Sequence, residues 1–165
     1  MKLALAVVLA SAAACGPSLN PALGGGYYGE WTQTLGESPS QSHEGPLTLA
    51  VSGQTLTVSG ICPDGSTSIK AIGSGESASW MGTLACPATT VGSCAAAVVT
   101  FTSVKVYVEV DDMNDGDLNQ LSLEGAGNYS GCGTSASFTY SFDGWGGNVR
   151  LGRAPPAPFE WGQGG

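Results

Sequence analysis

From Tyr27 onward, apolar and polar residues alternate at every second position in one run after another. Val104, Val106, Val108 and Val110 are interleaved with Lys105, Tyr107 and Glu109. Ala136, Phe138, Tyr140 and Phe142 are interleaved with Ser135, Ser137, Thr139 and Ser141. A period of two places successive side chains on opposite faces of a strand, so each run has one face for a core and one for water. Shorter runs repeat the pattern: Tyr27, Trp31 and Leu35; Leu47, Leu49 and Val51; Leu56 and Val58; Trp80 and Leu84. Turn-forming residues separate them at Ser52-Gly53-Gln54, Pro63-Asp64-Gly65, Gly73-Ser74-Gly75, Asn114-Asp115-Gly116 and Gly131-Cys132-Gly133.

About eight or nine strands joined by short turns predict an all-β domain over residues 27–153, an antiparallel meander. Short hairpin links favour a closed or partly closed small β-barrel, with a two-sheet sandwich as the alternative. Val99 and Phe101 stand at odd positions while the run from Val104 is even. That change of parity predicts a β-bulge near Thr102-Ser103, which would bend the strand as closure requires.

The N-terminus has a different pattern. Lys2 precedes an uncharged run of Leu, Val and Ala from Leu3 to Ala14, too short for the roughly 20 apolar residues of a membrane-spanning helix and typical of a secretory signal. The run ends in Ser11-Ala12-Ala13-Ala14-Cys15-Gly16. This segment resembles the processing site of bacterial lipoprotein precursors, in which the cysteine after small residues is acylated and becomes the mature N-terminus. Ala12 stands where such precursors mostly carry Leu, and ordinary cleavage after Ala14 is the alternative. The resemblance implies residues 1–14 as signal peptide, Cys15 as the lipidated residue and, with Gly16 rather than Asp next, an address at the outer membrane. Pro17 to Gly26, with no apolar periodicity, reads as a flexible tether completing segment 15–26. Residues 154–165, with Pro155, Pro156, Pro158 and three glycines, read as a disordered tail.

Composition narrows the function classes. Of the 165 residues only 11% are charged, and five Lys and Arg against thirteen Asp and Glu give a net charge of −8. Nucleic-acid binding, which neutralises phosphates with clustered cations, is excluded as a partner class. The Cys-, Gly- and Thr-rich β pattern resembles the small envelope lipoproteins of myxobacteria. Gly29-Glu30-Trp31-Thr32 with Leu35-Gly36 resembles the first strand of lipocalin and avidin barrels, where a Gly-x-Trp closes one barrel end. That second resemblance implies a barrel and, as a possible activity, carriage of a small apolar or sugar ligand in an interior lined by Tyr27, Trp31, Trp80, Phe138 or Tyr140.

Catalytic chemistry finds few residues to work with. The single histidine, His43, falls in a polar stretch read as a loop, and the chain has no Gly-x-Ser-x-Gly elbow to pair with it. The cysteines at 62, 86, 94 and 132 form no Cys-x₂-Cys knuckle for zinc. Glu109, Asp111, Asp112, Asp115, Asp117 and Glu124 cluster, and Asp111, Asp115 and Asp117 are candidate calcium ligands. Met113 breaks the alternation of oxygen ligands, which favours a solvated hairpin tip. Two facing carboxylates for glycoside hydrolysis are lacking. The expectation is therefore a non-enzyme without cofactors, a structural or protein-interaction module whose partners are the membrane, through its acyl chains, and an envelope protein.

Setting Cys15 aside leaves an even set of four cysteines, suited to an oxidising compartment, with three possible connectivities. In a hairpin, bridged residues should be equidistant from the turn. The midpoint of Cys62 and Cys86 falls on Ser74, and that of Cys94 and Cys132 on Met113, both in predicted loops. The expected pairs are thus Cys62–Cys86 and Cys94–Cys132.

Overall fold

The computed structural model describes residues 16–37, 39–87, 89–91, 94–111 and 118–147, with backbone only for those between 89 and 97. Its strands are β1 (Gly25–Leu35), β2 (Gln41–Ser52), β3 (Thr55–Ser59), β4 (Ser68–Ser74), β5 (Ser77–Ala85), β6 (Thr89–Val91), β7 (Cys94–Glu109), β8 (Asn119–Gly131) and β9 (Thr134–Gly147). All pairings among them are antiparallel. β1 pairs with both β2 and β9, and β5 pairs with β7, so eight strands close into a barrel with the short β6 attached to the start of β7. Closure excludes the sandwich alternative.

The alternation seen in the sequence becomes the inside and outside of this barrel. Val104, Val106, Val108, Leu121, Leu123, Phe138, Tyr140 and Phe142 are buried, and no buried residue among those described is polar or charged. The bulge lies where the parity changed: the β7–β8 register shifts between Phe101 and Ser103, and the facing β5–β7 register shifts between Met81 and Leu84. β7 carries the extra residue against β8 and β5 carries it against β7, so these two adjacent strands bend at one level, as a closing barrel wall must.

Two rims result. The one where β1 begins carries the Gly53-Gln54 and Gly75-Glu76 turns and the ends of β7 and β9, and is called the N-terminal rim below. The distal rim carries the β1–β2 and β3–β4 connections and the two-residue turn between β8 and β9. That last turn places Cys132 at φ 49° and Gly133 at φ 77°, the left-handed pair that matches strand twist in a tight hairpin.

The segment read as a tether is docked instead. Leu19 and Leu23 are buried, a 3-10 turn spans Pro21–Leu23, and β1 starts at Gly25 rather than Tyr27. Leu19 N–H donates to the Gly53 carbonyl at 2.9 Å and Asn20 N–H to the Gly75 carbonyl at 2.8 Å. The Asn119 side chain donates to the Ala22 carbonyl at 2.8 Å. Local composition suggested a loose segment; two leucines without periodicity cover the barrel end because that end would otherwise expose apolar core. Residues 1–15, including the signal segment and Cys15, and the tail 154–165 lie outside the described residues.

The Cys62–Cys86 disulfide is present, with Cα atoms 5.5 Å apart. It joins the β3–β4 connection to the residue after β5 at the distal rim. Cys132 is disulfide-bonded as well. Of the expected Cys94–Cys132 pair, the Cys94 side chain lies outside the described residues, so one staple rather than two is described in full.

Candidate functional site

The barrel interior is the place where a carrier would hold a ligand, and it is occupied by aromatic rings. Phe142 stands opposite Trp31 in the β1–β9 ladder, and Tyr140 is its diagonal neighbour on the same inward face. The Trp31 ring stacks on Tyr140 with centroids 4.6 Å apart and planes 15° apart, and meets Phe142 at 4.6 Å and 57°. Phe101 continues the cluster, 5.6 Å from Phe138 and 5.8 Å from Tyr140.

What lets rings from β7 and β9 meet is the strand between them. Gly125 pairs with Tyr140 and Gly127 with both Phe101 and Phe138. A Cβ at Gly125 would come within 2.8 Å of the Phe101 ring, and one at Gly127 would overlap the Thr100 carbonyl. Two inward positions of β8 are therefore bare: the Phe101 ring fills the space above Gly125, and the β7 backbone closes against Gly127. Sequence reasoning missed these glycines because they form no turn signal; their parity with Leu121, Leu123 and Tyr129 was the available clue.

Of the five residues expected to line a ligand site, Tyr27, Trp31, Phe138 and Tyr140 are at most 3% exposed and pack within the core. Trp80 is partly buried and packs against it. The structure thus brings four of them into one packed unit. Tyr27 donates its hydroxyl hydrogen to the Leu23 carbonyl at 2.9 Å, tying the docked N-terminal segment to the barrel wall.

Burial pushes both the Tyr27 and Tyr140 phenols above their ordinary value near 10, for Tyr140 far above, with the Asp64 carboxylate adding repulsion. An unfolded phenol loses its proton near pH 10 while these folded ones keep theirs. The unfolded state then binds fewer protons, so stability is intact below about pH 10 and falls as pH rises beyond it. Thermal melts between pH 8 and 11.5 should show this decline, and Tyr140→Phe should flatten it. An equal decline in the variant would refute the assignment.

The remaining candidates are dispersed. His43 lies on β2, not in a loop, because the β1–β2 ladder extends outward to Gln33 and Gln41. It is exposed, and the adjacent Ser42 hydroxyl shares a 3.0 Å hydrogen bond with Thr32. Of the proposed calcium ligands, Asp115 and Asp117 lie outside the described residues, while the Asp111 N–H donates to the Asn119 side chain at 3.2 Å. Among the described residues no cluster of three metal-ligating side chains occurs.

The outer face is polar. One depression of about 380 Å³ is lined by Thr32, Thr34, Lys105, Glu124, Thr139 and Ser141, and a second of about 460 Å³ by Ile72, Ser79, Lys105, Tyr107 and Glu124 among others. Both are open to solvent and share the cross-strand pair Lys105 and Glu124. Open depressions lined by hydroxyls and single charges lack the enclosed apolar walls of a small-molecule pocket. Comparison with protein-family models, with curated proteins and with solved structures returns no match, so the geometry stands on its own.

Proposed function

We propose that the mature chain is a cell-envelope lipoprotein, anchored at the outer membrane by acyl chains on Cys15, whose barrel is a non-catalytic structural or protein-interaction module. The observation that carries the non-carrier part of this reading is the packed Trp31–Tyr140–Phe142 unit, which occupies the space a ligand would need. The anchor rests on the Ala13-Ala14-Cys15-Gly16 sequence. Each acyl CH₂ buried contributes about 0.8 kcal/mol, so several chains would hold the protein stably. The second reading, a small-ligand carrier, draws on the closed eight-strand wall, an architecture with room for one small ligand where side chains do not fill it.

Expression in a Gram-negative host with labelled palmitate should mark the protein, and Cys15→Ser should move it to the soluble fraction. Unchanged membrane association of that variant would overturn the anchor. Native mass spectrometry of the purified domain decides the second reading: a small molecule retained in stoichiometric amount would favour the carrier.

An exported domain should have its cysteines oxidised. With Cys15 acylated, the bonded Cys132 is left with Cys94 as partner. β7, which begins at Cys94, lies beside β8, which ends one residue before Cys132, with Val98 opposite Ser130. Non-reduced peptide mapping should recover Cys94 joined to Cys132; Cys132 joined to any other cysteine would refute the pair.

A further inference from the structure

Most side chains on the outer wall are hydroxylic or charged, but four large apolar ones are not. Tyr28 is 56% exposed, Trp145 56%, Tyr107 50% and Ile72 58%. All four stand near the same edge of the barrel. Ile72, Tyr107 and Trp145 each lie two residues before the end of their strands, and Tyr28 three after the start of β1. Those strand ends form the N-terminal rim. Tyr28 and Trp145 are direct cross-strand partners, while Ile72 and Tyr107 line one depression on either side of Ser77 and Ser79. Among the described residues, the two other exposed large apolar ones, Met81 and Val98, lie elsewhere on the wall.

The chain leaves the barrel at this rim with almost no slack. Gly75 N–H donates to the Ser18 carbonyl at 3.0 Å and the Gln54 side chain to the Pro17 carbonyl at 3.2 Å. Cys15 is three residues before Ser18, a span of no more than about 11 Å even when extended. Acyl chains on Cys15 would therefore draw this rim onto the lipid surface.

From these two observations, and resting on the acylation proposed above, we infer that the N-terminal rim docks on the membrane with Tyr28, Tyr107, Trp145 and Ile72 at headgroup level and the distal rim pointing away. Tyr and Trp favour that layer because their rings are apolar and their N–H or O–H groups remain hydrated. One row further from the rim, Glu30 pairs with Glu44 on one side and with Asp143 on the other. Two strand residues correspond to roughly 6 Å, so these carboxylates stay in water when the aromatic row is at the surface. Glu76, Glu109 and Asp111, which is bonded to Asn119 at the start of β8, lie at the rim itself. The surface that fits is consequently zwitterionic, with phosphatidylethanolamine ammonium groups to meet the carboxylates, rather than anionic.

The test uses full-length acylated protein carrying Trp161→Phe, reconstituted in phosphatidylethanolamine vesicles containing lipid brominated near the headgroup end of its chains. Bromine should quench tryptophan emission, and the quenching should be lost when Trp145→Phe is added. Replacing phosphatidylethanolamine by phosphatidylglycerol should weaken it. Quenching that persists in the double variant, or grows with phosphatidylglycerol, overturns the docking. So does an absence of quenching in protein whose N-terminal peptide carries the acyl mass, and that result leaves the anchor standing. An unacylated N-terminal peptide would instead remove the anchor and this inference together. A dimer of the soluble Cys15→Ser protein that Trp145→Ser dissociates would assign the rim to a second copy and also overturn the docking.

Discussion

Trp31→Ala should cost about 3–5 kcal/mol of folding stability, the usual range for deleting a buried aromatic side chain. The indole is 3% exposed and wedged between Tyr140 and Phe142, and Gly45 on β2 leaves room for its edge, where a Cβ would sit 3.3 Å from the ring. Tyr140 and Phe142 are held on β9, which is bonded to both β1 and β8, so the void can collapse only in part. A domain with a total stability of about 5–15 kcal/mol would lose a large share of it. Urea unfolding should show a markedly lower midpoint with little change in slope, and Trp31→Phe should recover part of the loss. The outcome also separates the two proposed functions. A tryptophan that faced a ligand would be dispensable for folding, so near-unchanged stability with loss of a co-purified molecule would favour the carrier.

The second large effect is expected at the distal rim. Replacing Cys62 and Cys86 together by Ala should destabilise the domain by about 3 kcal/mol, the loop-closure effect for a bridge spanning 24 residues of chain. The melting temperature should fall by on the order of 10 °C. Both cysteines are at most 3% exposed, and Cys86 N–H donates to the Val99 carbonyl at 2.8 Å, so the bridge fastens the β3–β4 connection to a wall already held by β7. The substitution is preferable to reduction, which would also open the bridge at Cys132. A change of less than about 1 kcal/mol would show that the connection is ordered without its staple, through its own hydrogen bonds, among them Gly60–Thr67, Cys62–Ser66 and Gly65–Cys62 between backbone groups.

The strands, the bulge at Thr102 and the Cys62–Cys86 bridge were legible in the sequence because each leaves a local mark. Alternation has a fixed period, a bulge reverses its parity, and a hairpin places its bridged residues symmetrically about a turn. The candidate ligand residues were legible only as inward-facing aromatics. Whether an inward ring lines a cavity or fills it depends on what the other strands present at the same height, and here the decisive residues are Gly125, whose missing side chain gives room to the Phe101 ring, and Gly127, whose missing side chain lets the β7 backbone come close. Tertiary structure alone decided closure as well, since the β1–β9 pairing joins strands from opposite ends of the domain. It also turned Pro17–Gly26 from an expected tether into a cap: two leucines give no periodic signal, yet an apolar barrel end recruits any nearby apolar segment long enough to reach it. The same long-range geometry collects Tyr28, Ile72, Tyr107 and Trp145, scattered over four strands, at one rim. Alternation states which residues face outward, and only the stagger of paired strands determines which of them stand at the same height.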